Sequence, residues 1–107
     1  MADLTPYRGK RALVCGIPRG GAKTQQVWLD ATGKALRTIG IAHATTYQTT
    51  CTVRATRKAI SIVSADVLIA CRSTFPVNIA REAAKAAGVP VLRVRRDGTI
   101  DVDASDE

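Results

Sequence analysis

At 107 residues and 46% hydrophobic content, the chain is large enough for one modest core and is expected to fold as a single domain. No apolar run reaches the length of a membrane span and the start lacks a signal-peptide pattern, so no membrane partner and a cytoplasmic location are expected. The net charge of +7 is unevenly placed: all sixteen Lys and Arg lie at or before Arg96 and five of the nine acids lie beyond it, so residues 1–96 carry +12 and the rest −5, which favours an anionic partner such as nucleic acid or a phosphorylated ligand.

Residues 1–10 read as a loose N-terminal arm, broken by Pro6 and Gly9. Residues 11–17 form a first strand whose buried part is Ala12 to Cys15. A glycine-rich loop follows, Gly16-Ile17-Pro18-Arg19-Gly20-Gly21-Ala22-Lys23-Thr24, carrying two cations and a hydroxyl. Residues 25–36 admit two readings. A helix from about Ala22 would cross over to a strand at 37–43. Alternatively, Gln26 to Leu29 is a strand and Asp30-Ala31-Thr32-Gly33 a hairpin turn, because Asp, Thr and Gly are poor helix-interior residues. The helix is favoured, since a parallel sheet of repeated βα units needs that crossover.

Residues 37–43 read as a strand in either case, and the threonine-rich residues 44–52 as a loop. Residues 53–64 read as a helix with Ala55, Ala59, Ile60, Ile62 and Val63 apolar and Arg54, Arg57 and Lys58 outward. Asp66 to Cys71 is a continuous apolar run, as a strand buried on both faces requires. Residues 77–87 then form a helix, preceded by Pro76 and closed by Gly88 and Pro90, and residues 89–94 another strand. This βαβ unit should be parallel with a right-handed crossover. An Arg96-Asp97-Gly98 turn leads to a short edge strand within the acidic tail, residues 99–107. That tail either stays solvated or folds over the basic face and competes with the ligand. The expected architecture is α/β: a single three-layer Rossmann-like domain, residues 11–98, with a mostly parallel sheet of four to five strands.

In open parallel sheets ligands sit beyond the carboxyl ends of the strands, which selects the loops at 18–24, 44–52 and 72–76. Arg19, Gly20, Gly21, Lys23 and Thr24 offer cations, exposed N–H groups and a hydroxyl suited to phosphate. Arg72, Ser73 and Thr74 would face the same ligand, although Ser73 or Thr74 is most simply the cap of the following helix. The first loop is not a Walker A motif: Ile17 stands for its first glycine and Ala22 for the glycine before Lys23-Thr24. Asp66 begins its strand, on the wrong edge to hold a nucleotide's metal. Carboxylates before the tail are too scattered for two-metal chemistry. Cys15, Cys51 and Cys71 read as reduced thiols. With His43 they could make a zinc site at the carboxyl edge, but no CxxC pair is present, and no metal or cofactor is expected. Arg54, Arg57 and Lys58 form a candidate nucleic-acid patch. Only four aromatics stand ready for base stacking (Tyr7, Trp28, Tyr47, Phe75), which favours phosphate contacts.

Laid out in this order, the chain resembles a small Rossmann-like family catalogued as domain of unknown function 2325. The shared features are Cys15-Gly16 to Gly20-Gly21, Ser64-Ala65-Asp66-Val67-Leu68-Ile69, the Ser/Thr turn and helix from Ser73 to Ala87, Gly88-Val89-Pro90-Val91, and Arg96-Asp97-Gly98. That family's Ser-His before the last helix is replaced by Val77-Asn78, and the resemblance implies the fold without a chemistry. The hairpin reading would instead make Val14 to Ile41 similar to the opening of RNase H-like resolvases. The catalytic acids of such proteins are missing at Gly16-Ile17-Pro18 and Ala70-Cys71, which implies nucleic-acid binding without cleavage.

These residues point away from an enzyme, with no catalytic set. The expected function is a basic α/β domain that binds nucleic acid or another polyanion through phosphate contacts. The alternatives are a domain that binds a phosphorylated metabolite or nucleotide at the glycine-rich loop, and a protein-interaction module. A homo-oligomer is compatible with each.

Overall fold

The computed structural model describes residues 5–16, 21–46, 52–71 and 77–102. After a 3-10 turn at Thr5–Tyr7, the elements are β1 (Arg11–Cys15), α1 (Ala22–Ile39), β2 (His43–Thr46), α2 (Val53–Val63), β3 (Val67–Cys71), α3 (Val77–Ala87), β4 (Val91–Val94) and β5 (Ile100–Val102). The strands form one sheet in the order β2-β1-β3-β4-β5. The first four are mutually parallel and β5 runs antiparallel to β4. The expected Rossmann-like α/β fold is the fold observed.

Winding explains the layers. The chain steps from β1 outward to β2, then returns across β1 to β3 and β4. Right-handed crossovers in opposite directions place their helices on opposite faces. On one face α1 packs Trp28, Ala31, Ala35 and Ile39 against Ala12, Val14, Val67, Ile69, Cys71, Leu92 and Val94. On the other, Ala59 and Ile60 of α2 and Ala80 and Ala84 of α3 meet Leu13, Cys15, Leu68, Ala70 and Val91. All five residues of β3 are buried, so this strand serves both cores.

Residues 22–39 form a helix, as the crossover requires, and the hairpin does not form. Trp28, Ala31, Thr32, Ala35 and Ile39 recur at helical spacing on the buried side, which outweighs the turn character of Asp30 to Gly33. The strand expected at 37–43 is a correction. Arg37, Thr38 and Ile39 are the last turn of α1, and β2 begins only at His43. Gly40 ends the helix in a left-handed conformation at φ 83°, where its N–H reaches the Leu36 carbonyl at 2.9 Å. Residues 44–46, expected in a loop, belong to β2. The first strand stops at Cys15, before Gly16; Ile17, expected to end it, lies outside the described residues.

The described part of the arm is docked. Tyr7 packs against the α1 core, and the Gly9 N–H donates to the Gly40 carbonyl at 2.8 Å. At the other end of the sheet the expected turn is present. Asp97 accepts from the Thr99 N–H at 2.9 Å and from the Thr99 hydroxyl at 2.7 Å. Gly98, at φ 87°, is buried against α1; a Cβ there would lie 2.9 Å from Lys34 Cδ and 3.4 Å from the Ala31 carbonyl oxygen.

Two consequences are measurable. Leu68 is fully buried in the central strand. Leu68→Ala should cost about 3 kcal/mol in chemical denaturation, within the usual range for a buried leucine. A loss below about 1 kcal/mol would mean that the site collapses without a cavity. The second concerns acid. The Thr99 hydroxyl, then its N–H, hold the Asp97 carboxyl below the ordinary carboxylate range. A group depressed in the folded state contributes fully above its unfolded value and loses that contribution as pH falls through its folded value. Amide exchange at Thr99 should therefore accelerate as pH drops below the ordinary carboxylate range, after allowance for the intrinsic pH dependence of exchange. Asp97→Ala should abolish that dependence.

Candidate functional site

The sheet order creates a switch point. From β1 the chain leaves toward α1 on one face, and from β3 toward α3 on the other, so a crevice opens between the carboxyl ends of these neighbours. Cys15 ends β1 there and precedes the glycine-rich sequence, and Cys71 ends β3 beside it. Of the residues assigned to phosphate, Arg19, Gly20, Arg72, Ser73 and Thr74 lie outside the described residues. Gly21 is the N-cap of α1 and contributes no side-chain hydrogen bond to the helix start. Lys23 and Thr24 stand exposed in the first turn of that helix. A helix N-terminus beside a cation is electrostatically suited to an anion.

The second cluster is on the other face. Arg54, Arg57 and Lys58 are all exposed and line one groove of about 740 Å³ between α2 and the end of α3. Ser61 and Ser64 continue the same wall, while Ile60, Ala65, Ala87 and Val89 supply an apolar floor. The spacing is the cause: positions 54, 57, 58 and 61 follow i, i+3, i+4, i+7 and fall on one side of a helix. Thr52 starts that helix by accepting the Ala55 N–H at 3.1 Å. Ser64 ends it in the left-handed region at φ 53°, its N–H pointing at the Ile60 and Ser61 carbonyls. α2 contains no acidic residue, so the three cations have no counter-charge on their own helix. Ser61 and Ser64 were not among the residues singled out from sequence. The 3-4-3 spacing from Arg54 onward was the available signal.

The groove and the switch-point crevice are separate features. α2 runs back from the carboxyl edge of the sheet, so the patch leads away from the glycine-rich loop toward the amino edge, where β3 and β4 begin. Lys23 and Thr24 belong to the α1 layer on the far side of the sheet.

The thiol and histidine cluster does not assemble. His43 opens β2 opposite Arg11, at the amino edge, not the carboxyl edge. Cys15 and Cys71 project to opposite faces of the sheet, one into each core. Cys51 lies outside the described residues. Among the described residues no group of His, Cys, Asp or Glu could hold a metal. Cys71 is instead a core residue, with its sulfur 3.5 Å from the buried Thr32 hydroxyl of α1. Burial pushes the Cys71 thiol up, and the Thr32 hydrogen bond offsets part of that rise. Asp66 lies at the amino edge as expected. Its carboxylate accepts the Arg11 N–H at 3.1 Å, and its own N–H donates to the Arg11 carbonyl at 2.9 Å. Its role there is to fix the start of β3 against β1.

No known family, curated protein or solved structure matches this chain. The family resemblance therefore rests on its quoted residues alone.

Neither buried cysteine forms a disulfide. Alkylation of the native protein followed by peptide mass mapping should leave Cys15 and Cys71 unmodified, and both should react after denaturation. Rapid labelling of Cys71 in the native state would show that the β3–α1 packing opens readily.

Proposed function

We propose that this protein is a non-enzymatic binding domain for nucleic acid or a similar polyanion, held through its phosphates. The observation that carries the reading is the convergence of Arg54, Arg57 and Lys58 on one groove, on a helix without an acidic residue. Three cations along α2 span about 6 Å of helix, a length over which a duplex carries several phosphates. The body's charge of +12 would speed encounter with any polyanion. Ser61 and Ser64 would add uncharged donors to phosphate oxygens. On this reading Arg19, Lys23, Thr24, Arg72 and Ser73 would add a second phosphate contact separate from the groove. The binding would be largely sequence-independent, because phosphates carry no base information.

A second reading is supported by the switch point between β1 and β3, the usual ligand position in open α/β sheets. There a phosphorylated metabolite or nucleotide would sit at the glycine-rich loop, with Lys23 as its cation.

Binding to short labelled DNA and RNA over a salt series separates the two. For the polyanion, affinity should fall steeply with salt, and the slope should decrease by about one for each of Arg54→Gln, Arg57→Gln and Lys58→Gln. These side chains are exposed, so the variants should unfold at the wild-type temperature. For the small ligand, a mononucleotide should raise the melting temperature, Lys23→Ala should remove that effect, and Arg57→Gln should not. Failure to bind either nucleic acid at low salt would overturn the first reading.

A further inference from the structure

We propose that this protein forms a two-fold homodimer by antiparallel pairing of β2 with β2 of a second copy, each Thr45 facing its own counterpart on the axis. The first argument is the direction of the backbone groups. The Arg11 N–H donates to the Asp66 carboxylate at 3.1 Å and the Arg11 carbonyl accepts the Asp66 N–H at 2.9 Å, so Arg11 turns toward β3. The Lys10 carbonyl turns the other way and accepts the Ala42 N–H at 3.0 Å. These directions alternate along a strand, so Ala12 and Val14 turn toward β2. With Ala12 level with Ala44, a parallel ladder takes up the groups of His43 and Thr45. Ala44 and Thr46 therefore turn their N–H and carbonyl groups outward. On that side β2 has no strand partner among the described residues.

The second argument is access. All four residues of β2 are exposed, and none belongs to either of the two cores that the helices cover. The third is self-complementarity. Pairing Ala44 of each copy with Thr46 of the other exchanges four hydrogen bonds and uses every outward group of these two residues. Centring the axis on Ala44 would instead draw on Ala42, whose N–H is already engaged, and centring it on Thr46 would run past the end of β2. The favoured register sets Thr45 opposite Thr45 at a non-hydrogen-bonded site, where Cα atoms stand about 4.5 Å apart and threonines pair well. β2 holds no Lys, Arg, Asp or Glu, so no like charges meet across the axis. One set of donors and acceptors thus serves both copies, as a two-fold contact requires. Two five-stranded sheets become one of ten, with both α2 helices on the same face. The inference does not depend on what the α2 groove binds.

A contact this short lies at the weak end of protein interfaces, so the dimer should dissociate on the order of 0.1 mM. Sedimentation equilibrium of the full chain at rising concentration should show a monomer–dimer equilibrium. A single monomeric species up to about 1 mM would overturn the inference and leave the margin to a foreign strand or to nothing. Ala44→Pro removes an outward N–H without touching the ladder to β1, a position where an edge strand tolerates proline. It should weaken the dimer roughly tenfold or more, since each dimer loses two hydrogen bonds. A dimer of unchanged strength in that variant would overturn the proposal. Cross-linking tests the register independently of how proline affects folding. In a Cys51→Ser background, Thr45→Cys should give a disulfide-linked dimer on mild oxidation, because the expected Cα separation lies within disulfide range. Cys15 and Cys71 are buried and should not compete. His43→Cys should stay monomeric, because its two copies would stand about 14 Å apart. Equal cross-linking at both positions, or none at Thr45→Cys, would overturn the pairing.

Discussion

The structure depends on burying β3 from both sides. Val67, Ile69 and Cys71 face α1, while Leu68 and Ala70 face α2 and α3, and none of the five is exposed. A strand in that position has no surface left for water, so both helical layers must be in place for it to be stable. Its neighbours follow from this. β1 and β4 pair with it on either side, and α1 must run the long way across the opposite face to deliver the chain to β2. Thr32, a buried polar residue in the middle of α1, is tolerated because the Cys71 sulfur satisfies its hydroxyl.

That two-sided burial also governs what could be read without coordinates. β3, α3 and β4 were legible because unbroken apolar runs, a helical stripe and a Gly-Pro stop all agree with one another. α1 was ambiguous because Asp30, Thr32 and Gly33 speak locally for a turn, while only their spacing relative to Trp28, Ala35 and Ile39 speaks for a helix. Tertiary packing decided it. β2 was misplaced for a different reason. His43, Ala44, Thr45 and Thr46 are all exposed at the rim of the sheet, so nothing hydrophobic marks them as a strand. The more apolar Ile39 to Ile41 drew the strand forward, and Gly40 was not read as the helix stop it is. The candidate site divided in the same way. Cation-bearing residues could be recognised by type. That Arg54, Arg57 and Lys58 share a concave wall with two serines depends on how α2 meets α3, through the alanines that let the helices approach.

The two basic features answer to different physics. At the switch point, backbone N–H groups and a helix start can hold a single anion in a defined place. Along α2, long flexible cations over an apolar floor can follow a chain of charges without demanding one geometry. On the proposed reading one would be a fixed contact and the other an adaptable one, on opposite faces of the sheet. Such an arrangement favours ligands long enough to touch both.

Among the described residues, β2 has a strand partner on one side only. Its four exposed residues include neither lysine nor proline, the usual guards against edge-to-edge joining of strands. Leu29 and Ile62, the large apolar side chains most exposed among the described residues, add further surface of the kind that associates. The chain's net charge of +7 supplies a mutual repulsion that opposes such joining. Colloidal behaviour becomes tied to ionic strength. Salt screens that repulsion, so high ionic strength should favour contact between copies.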